Sequence, residues 1–166
     1  MGINNRLHFS LKDKKGVFKL EILNNKVFLF GLVLKIVLSF LFAGKYLKDA
    51  FIPFVSYFFD SGFSNSYEFF YNSGASDAFP YPPLMLYFLG FLGGFASNLS
   101  PFFIRIPMLL ADIGILLVLS RLLRGKATKI LKYYWWSPVL IYITYIHGQL
   151  DVVPIMFLLA SSYFLF

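Results

Sequence analysis

The sequence predicts an all-α fold: a polytopic membrane protein whose transmembrane helices carry a long extracytoplasmic first loop containing interfacial helices. Three observations predict it. Hydrophobic residues make up 58% of the 166-residue chain and charged residues only 14%, and a soluble domain of that size has too much surface to cover with so few charges. The 22 Phe and 11 Tyr suit lipid contact and interfacial belts. The net charge of +7 falls in two basic blocks flanking apolar runs, a pattern that orients a chain in a bilayer rather than gripping nucleic acid.

The elements follow in order. Residues 1–26 form a basic N-terminal flank, with Arg6, Lys12, Lys14, Lys15, Lys19 and Lys26 against Asp13 and Glu21. The positive-inside rule puts them in the cytoplasm. The rest, 27–166, reads as the N-terminal part of one transmembrane domain. Val27–Gly44 is apolar except for Lys35, and at about 1.5 Å per residue it crosses a hydrocarbon core as an uncleaved anchor. Residues 45–83 carry Lys45 and Lys48 against Asp49, Asp60, Glu68 and Asp77, so this loop is net acidic and outside. Its aromatic pieces, 51–62 and 67–72, are expected to lie in the interface plane.

Leu84–Ser97 is apolar but short. Phe102–Leu123 is a good span, and Arg124, Lys126, Lys129 and Lys132 form the second cytoplasmic block. With both blocks inside, an even number of crossings separates them, and Val27–Gly44 and Phe102–Leu123 already supply two. Leu84–Ser97 is therefore expected not to cross. Tyr133–Ile146 returns outward and brings His147–Asp151 to the outer face. Val152–Phe166 then stops in mid-apolar run, where unpaired carbonyls would sit in hydrocarbon; the expectation is a fragment of a larger multi-pass protein.

Polar groups thus gather on the outer side. Asp49 stands just beyond the first helix, either as a partly desolvated general base or as a solvated carboxylate beside Lys45 and Lys48. Pro80, Pro82 and Pro83 around Tyr81 make a rigid turn that starts the next helix and shapes a pocket rim. His147 and Asp151, four apart, share a face if helical, with Gln149 between them; two ligands are too few to name a metal site. With no cysteine in the chain, disulfides, thiolate nucleophiles and Cys-bound metals are excluded. Lys35 and Asp112 are charges inside spans, each costing roughly 2.5–3.5 kcal/mol there and so needing a partner or a route to water. They pair with each other, or Lys35 meets a lipid phosphate. Arg105, near the outer end of its span, either snorkels, the first choice, or binds phosphate.

The order of these features resembles a known family. After the basic N-terminus and first helix come Asp49, then Gly62-Phe63-Ser64-Asn65-Ser66-Tyr67, then Tyr81-Pro82-Pro83-Leu84. Next are a helix ending in Arg121-Leu122-Leu123-Arg124, then Trp136-Ser137-Pro138, then His147-Gly148-Gln149-Leu150-Asp151. Over most of residues 27–166 this is similar to the GT-C superfamily of polyprenyl-phosphate-sugar-dependent glycosyltransferases, particularly its mannosyltransferase-like members.

The resemblance implies transfer of a sugar, a hexose such as mannose, from a polyprenyl or dolichyl phosphate donor to a glycan, lipid or protein acceptor at the extracytoplasmic or lumenal face. The membrane would be the plasma membrane or endoplasmic reticulum. It implies Asp49 as catalytic base, with Tyr81, Pro82, Pro83, Arg105, His147, Gln149 and Asp151 around the donor. It requires no cofactor beyond the lipid-linked sugar, and leaves a divalent metal open. Lys48 stands where many members carry a second acid, and Ser66 where relatives often carry proline. Members are usually about twice as long, so the missing C-terminal half is an expected partner. Two rival readings stand beside this one. One is a transport or channel subunit whose pathway is lined by Lys35 and Asp112; the other is a non-catalytic fragment.

Overall fold

The computed structural model describes residues 22–42, 44–93, 101–123 and 126–165, and among them every regular element is helical. The basic residues Arg6 to Lys19, residues 94–97 of the apolar Leu84–Ser97 stretch, Arg124 and the terminal Phe166 lie outside the described residues.

Helix α1 spans Lys26–Leu41, opened by Asn25, whose side-chain oxygen accepts from the Val27 N–H at 2.8 Å. It ends before the apolar run does, because the chain turns extended at Phe42. Gly44 then passes so close to the carbonyl of His147 that a Cβ there would collide with it. A π-helical turn, Leu47–Phe51, leads into α2, Ile52–Asp60. Gly62 and Phe63, both at positive φ, reverse the chain. Asn65 caps α3, Ser66–Asn72, through the Glu68 N–H. Helix α4, Pro83–Gly93, begins on the last proline of the rigid turn, the position proline favours in a helix. Its 11 residues rise roughly 16 Å, about half a hydrocarbon core, and it packs against α2.

Helix α5, Pro101–Leu122, is 22 residues long. Among the described residues it alone is long and apolar enough to cross a membrane by length and composition. Next come α6, Ala127–Ile130, a π turn at Leu131–Trp135, and α7, Pro138–Ile141, which widens into a third π turn at Tyr142–His147. Within the stretch Tyr133–Ile146, read from the sequence as one returning segment, the chain breaks at Trp136, and Ser137 caps a new start through the Leu140 N–H. A capping Ser followed by Pro is a strong helix-start signal that outranked the apolar run. Helix α8, Val152–Leu165, packs along α5.

Two cores sit at the two ends of α5. Toward its start, Ile104, Met108 and Ala111 meet the outer-loop helices and α8. There Phe54 stacks on Phe79 at 5.0 Å, and Phe51 meets Tyr81 edge-on at 5.6 Å. Toward its end, Leu116 packs with Phe28, Ile130, Leu131 and Trp135. The Trp135 and Trp136 indoles donate to the carbonyls of Phe28 and Val27, each at 3.1 Å. Lys26 and the basic run Lys126–Lys132 therefore share one end of the bundle. The helices of residues 47–72 and the segment His147–Asp151 share the other.

Candidate functional site

Where α1 ends, the chain's pieces converge on a cavity of about 270 Å³ lined by Tyr46, Phe51, Pro80, Tyr81, His147, Gly148 and Gln149. Each wall has a local cause. Tyr46 and Phe51 are five residues apart, about one wide turn, and the Ile52 N–H reaches back to the Leu47 carbonyl. Tyr81 is fixed from two sides. Its carbonyl accepts from the Tyr67 hydroxyl at 2.6 Å, and its own oxygen accepts from the Leu150 N–H at 3.0 Å. Tyr67 and Tyr81 belong to the two loop motifs read from the sequence, so the structure joins those motifs directly. Burial pushes the Tyr81 phenol above its ordinary value of 10.0; the Leu150 N–H opposes this and the nearby Asp151 carboxylate adds to it. Tyr81 therefore enters the cavity as a proton-bearing hydroxyl.

Gly148 ends the third π turn with φ +88, a left-handed conformation suited to glycine, and its N–H donates to the Ile143 carbonyl at 2.9 Å. His147 is thus the last residue of its helix. Its ring lies over Tyr46 at 6.1 Å, and its Nδ1 is buried without a partner. The same break overturns the expected shared helical face of His147 and Asp151: Asp151 lies beyond the turn, exposed.

Arg105 lies behind Gly148 and is only 1% exposed, so it does not snorkel. Three carbonyls hold it inside. Its Nη1 donates to Leu38 at 3.2 Å, Ser39 at 3.3 Å and Phe42, capping the C-terminus of α1. Its Nε and Nη2 are buried and unpartnered, and Nη2 would be 3.6 Å from a Cβ built on Gly148. A guanidinium with spare donors behind the Gly148 wall of a cavity that His147 also lines is a setting for an anion.

The other expected site residues divide. Gln149 lines the cavity; Pro82 and Pro83 do not, and both are exposed, while Pro80 takes the wall position. Asp49 is exposed on the turn that carries Tyr46 and Phe51, is not a lining residue, and makes no salt bridge to Lys45 or Lys48. Among the described residues no group of three or more His, Asp or Glu side chains is placed to hold a metal. Tyr46, Phe51 and Gly148 were not singled out from the sequence. Only their closeness in sequence to Asp49 and His147 could have suggested them.

A second polar cluster lies between the two cores. Lys35 and Asp112 meet at 2.6 Å, 1% and 4% exposed. Asp112 also accepts from the Tyr134 and Tyr145 hydroxyls, both at 2.6 Å, and the Lys35 ammonium sits 3.4 Å from the Trp135 ring centroid. Of the two readings left open for these charges, mutual pairing is the one the structure shows.

Compared with protein-family models, with curated proteins and with solved structures, the chain finds no match.

Proposed function

We propose that this chain is a polytopic membrane protein that transfers a sugar, a hexose such as mannose, from a polyprenyl-phosphate donor to an acceptor at the extracytoplasmic face. The observation that carries the reading is the buried, half-unsatisfied guanidinium of Arg105 behind the His147–Gly148 wall. A phosphate leaving group needs such a preorganised cationic donor, shielded from water. Membrane embedding is supported by large apolar side chains left exposed on α1 and α8. Phe30, Leu41, Leu158 and Phe164 are between 69% and 80% exposed, more apolar surface than a monomeric soluble fold usually shows.

In this reading Asp49, reachable from solvent on the rim turn, takes the proton of an acceptor hydroxyl. That oxygen bonds to the anomeric carbon as the carbon–oxygen bond to the donor phosphate breaks. Polyprenyl phosphate departs with its negative charge facing Arg105 and His147. Tyr81 and Gln149 offer hydrogen bonds to the sugar, and the Tyr46 and Phe51 rings offer it apolar faces. Lys35 and Asp112 pair with one another, which supports a structural role for them beside the transport reading.

Two experiments test this. The chain has no cysteine, so single cysteines can be introduced cleanly at positions 49 and 126. An impermeant thiol reagent added outside sealed vesicles should label 49 and spare 126. Labelling of both from one side rejects the topology. Separately, the protein in lipid nanodiscs should bind polyprenyl-phosphate mannose saturably. His147→Ala and Arg105→Gln should each weaken binding about tenfold or more, the scale of one lost hydrogen bond to a charged group. Undetectable donor binding, or binding indifferent to both substitutions, rejects the site.

A further inference from the structure

We propose that the end of the bundle remote from His147 holds a headgroup site for an anionic phospholipid. This rests on the membrane embedding proposed above and not on sugar transfer. A cavity of about 420 Å³ opens between the start of α1 and the segment from α6 to Trp136, within the roughly 300–1,000 Å³ usual for small-molecule pockets. Val27, Leu131 and the Trp136 ring give it apolar walls, while Asn25, Thr128 and Lys132 supply polar groups. Trp136 is held in place by its bond to the Val27 carbonyl and by stacking on Phe30.

The polar groups form a donor set. The Asn25 side-chain oxygen is taken by the Val27 N–H, which leaves the NH₂ of this exposed residue free to donate. Thr128 makes no side-chain hydrogen bond among the described residues, and Lys132 is an exposed ammonium. Lys26 adjoins Asn25 in the chain and Lys126 and Lys129 flank Thr128, all three exposed, and residues 22–27 and 126–136 contain no acid. None of these lysines makes a salt bridge among the described residues. Amide, hydroxyl and ammonium donors in a field of one sign match a phosphodiester.

What selects a lipid over a soluble anion is the surface that leads away from the cavity. Val27, Phe30, Val33 and Val37 are all more than 40% exposed and recur at helical spacing along α1. They make an apolar stripe running from the pocket along the helix. A ligand with a charged head and a hydrocarbon tail fits both features at once; inorganic phosphate or a nucleotide fits only one.

The test uses the intact protein in mixed vesicles and the fluorescence of its two tryptophans. Trp135 is wholly buried, whereas Trp136 lines the cavity, so quenching by lipids brominated on the upper acyl chain reports on Trp136. Brominated phosphatidylglycerol at low mole fraction should quench more strongly than brominated phosphatidylcholine. Lys132→Gln should cut that preference about fivefold, the scale for one basic residue at an anionic surface. Lys45→Gln, at the other end, should leave it unchanged.

Equal quenching by the two lipids in protein that has inserted overturns the headgroup site while leaving the membrane reading intact. So does loss of the preference on adding millimolar inorganic phosphate, which would show a free-anion site. Failure to co-float with pure phosphatidylcholine vesicles overturns both.

Discussion

Asp112→Ala should destabilise the protein by about 3–5 kcal/mol, the range for breaking a buried ion pair by deleting one partner. The magnitude follows from what is orphaned. The carboxylate accepts from Lys35, Tyr134 and Tyr145, so its loss leaves a buried ammonium with only the Trp135 and Tyr145 ring faces for company, along with two hydroxyls that have lost their carboxylate. Lys35→Ala should cost less, because Asp112 keeps both tyrosine donors. Tyr145→Phe removes one short bond to the carboxylate, and Tyr134→Phe removes one short bond and a long contact to the Asp112 carbonyl; each should cost about 1 kcal/mol. Replacing all four by apolar residues, as Lys35→Met, Asp112→Leu, Tyr134→Phe and Tyr145→Phe together, should recover most of the loss, since an apolar substitute often equals a buried pair. Denaturant titration in detergent micelles checks the ranking. An Asp112→Ala protein as stable as Tyr134→Phe would show that the carboxylate is not the hub.

Asp49→Asn should lower sugar transfer about 10²–10⁴-fold, the usual contribution of a positioned general base, while donor binding stays close to wild type. The amide keeps the size and hydrogen-bonding reach of the carboxylate but cannot take a proton. Asp49 is exposed and packs against nothing in the core, so the substitution should not disturb folding. That separates this variant from those at Arg105, which caps α1. Transfer from a radiolabelled donor to a soluble acceptor, measured alongside donor binding, reads both quantities. Retained transfer in Asp49→Asn removes this residue from the chemistry and leaves the cavity as a binding site only.

Much of the helical order was legible because its signals are local. Long apolar runs marked α1 and α5. The aromatic piece 67–72 marked most of α3, and the Pro80–Pro83 turn marked the start of α4. The short α4 packs against α2, and residues 94–97 lie outside the described residues. The site was half legible: Tyr81, His147 and Gln149 meet around one cavity, and Arg105 stands behind it. What escaped was the tertiary part. Arg105 looked like a snorkelling side chain because nothing near it in sequence reveals that the carbonyls of Leu38, Ser39 and Phe42 lie within its reach. Tyr134 looked like one ring of an interfacial girdle, and its bond to Asp112 depends on a partner 22 residues away. The break at Trp136 has a local signal, Ser137 followed by Pro138.

The wide turns at Leu47–Phe51 and Tyr142–His147 each close a hydrogen bond over one residue more than a regular helix would. Each therefore behaves as a helix with one insertion. A chain lacking Ala50 could wind normally there with Phe51 at nearly its present angle to Tyr46, since four residues at about 100° each sweep almost as far as five in the wider turn, but the widened turn that carries the two rings would be gone. That turn exists because of a surplus residue, so this stretch should tolerate exchange of side chains far better than any change in its length.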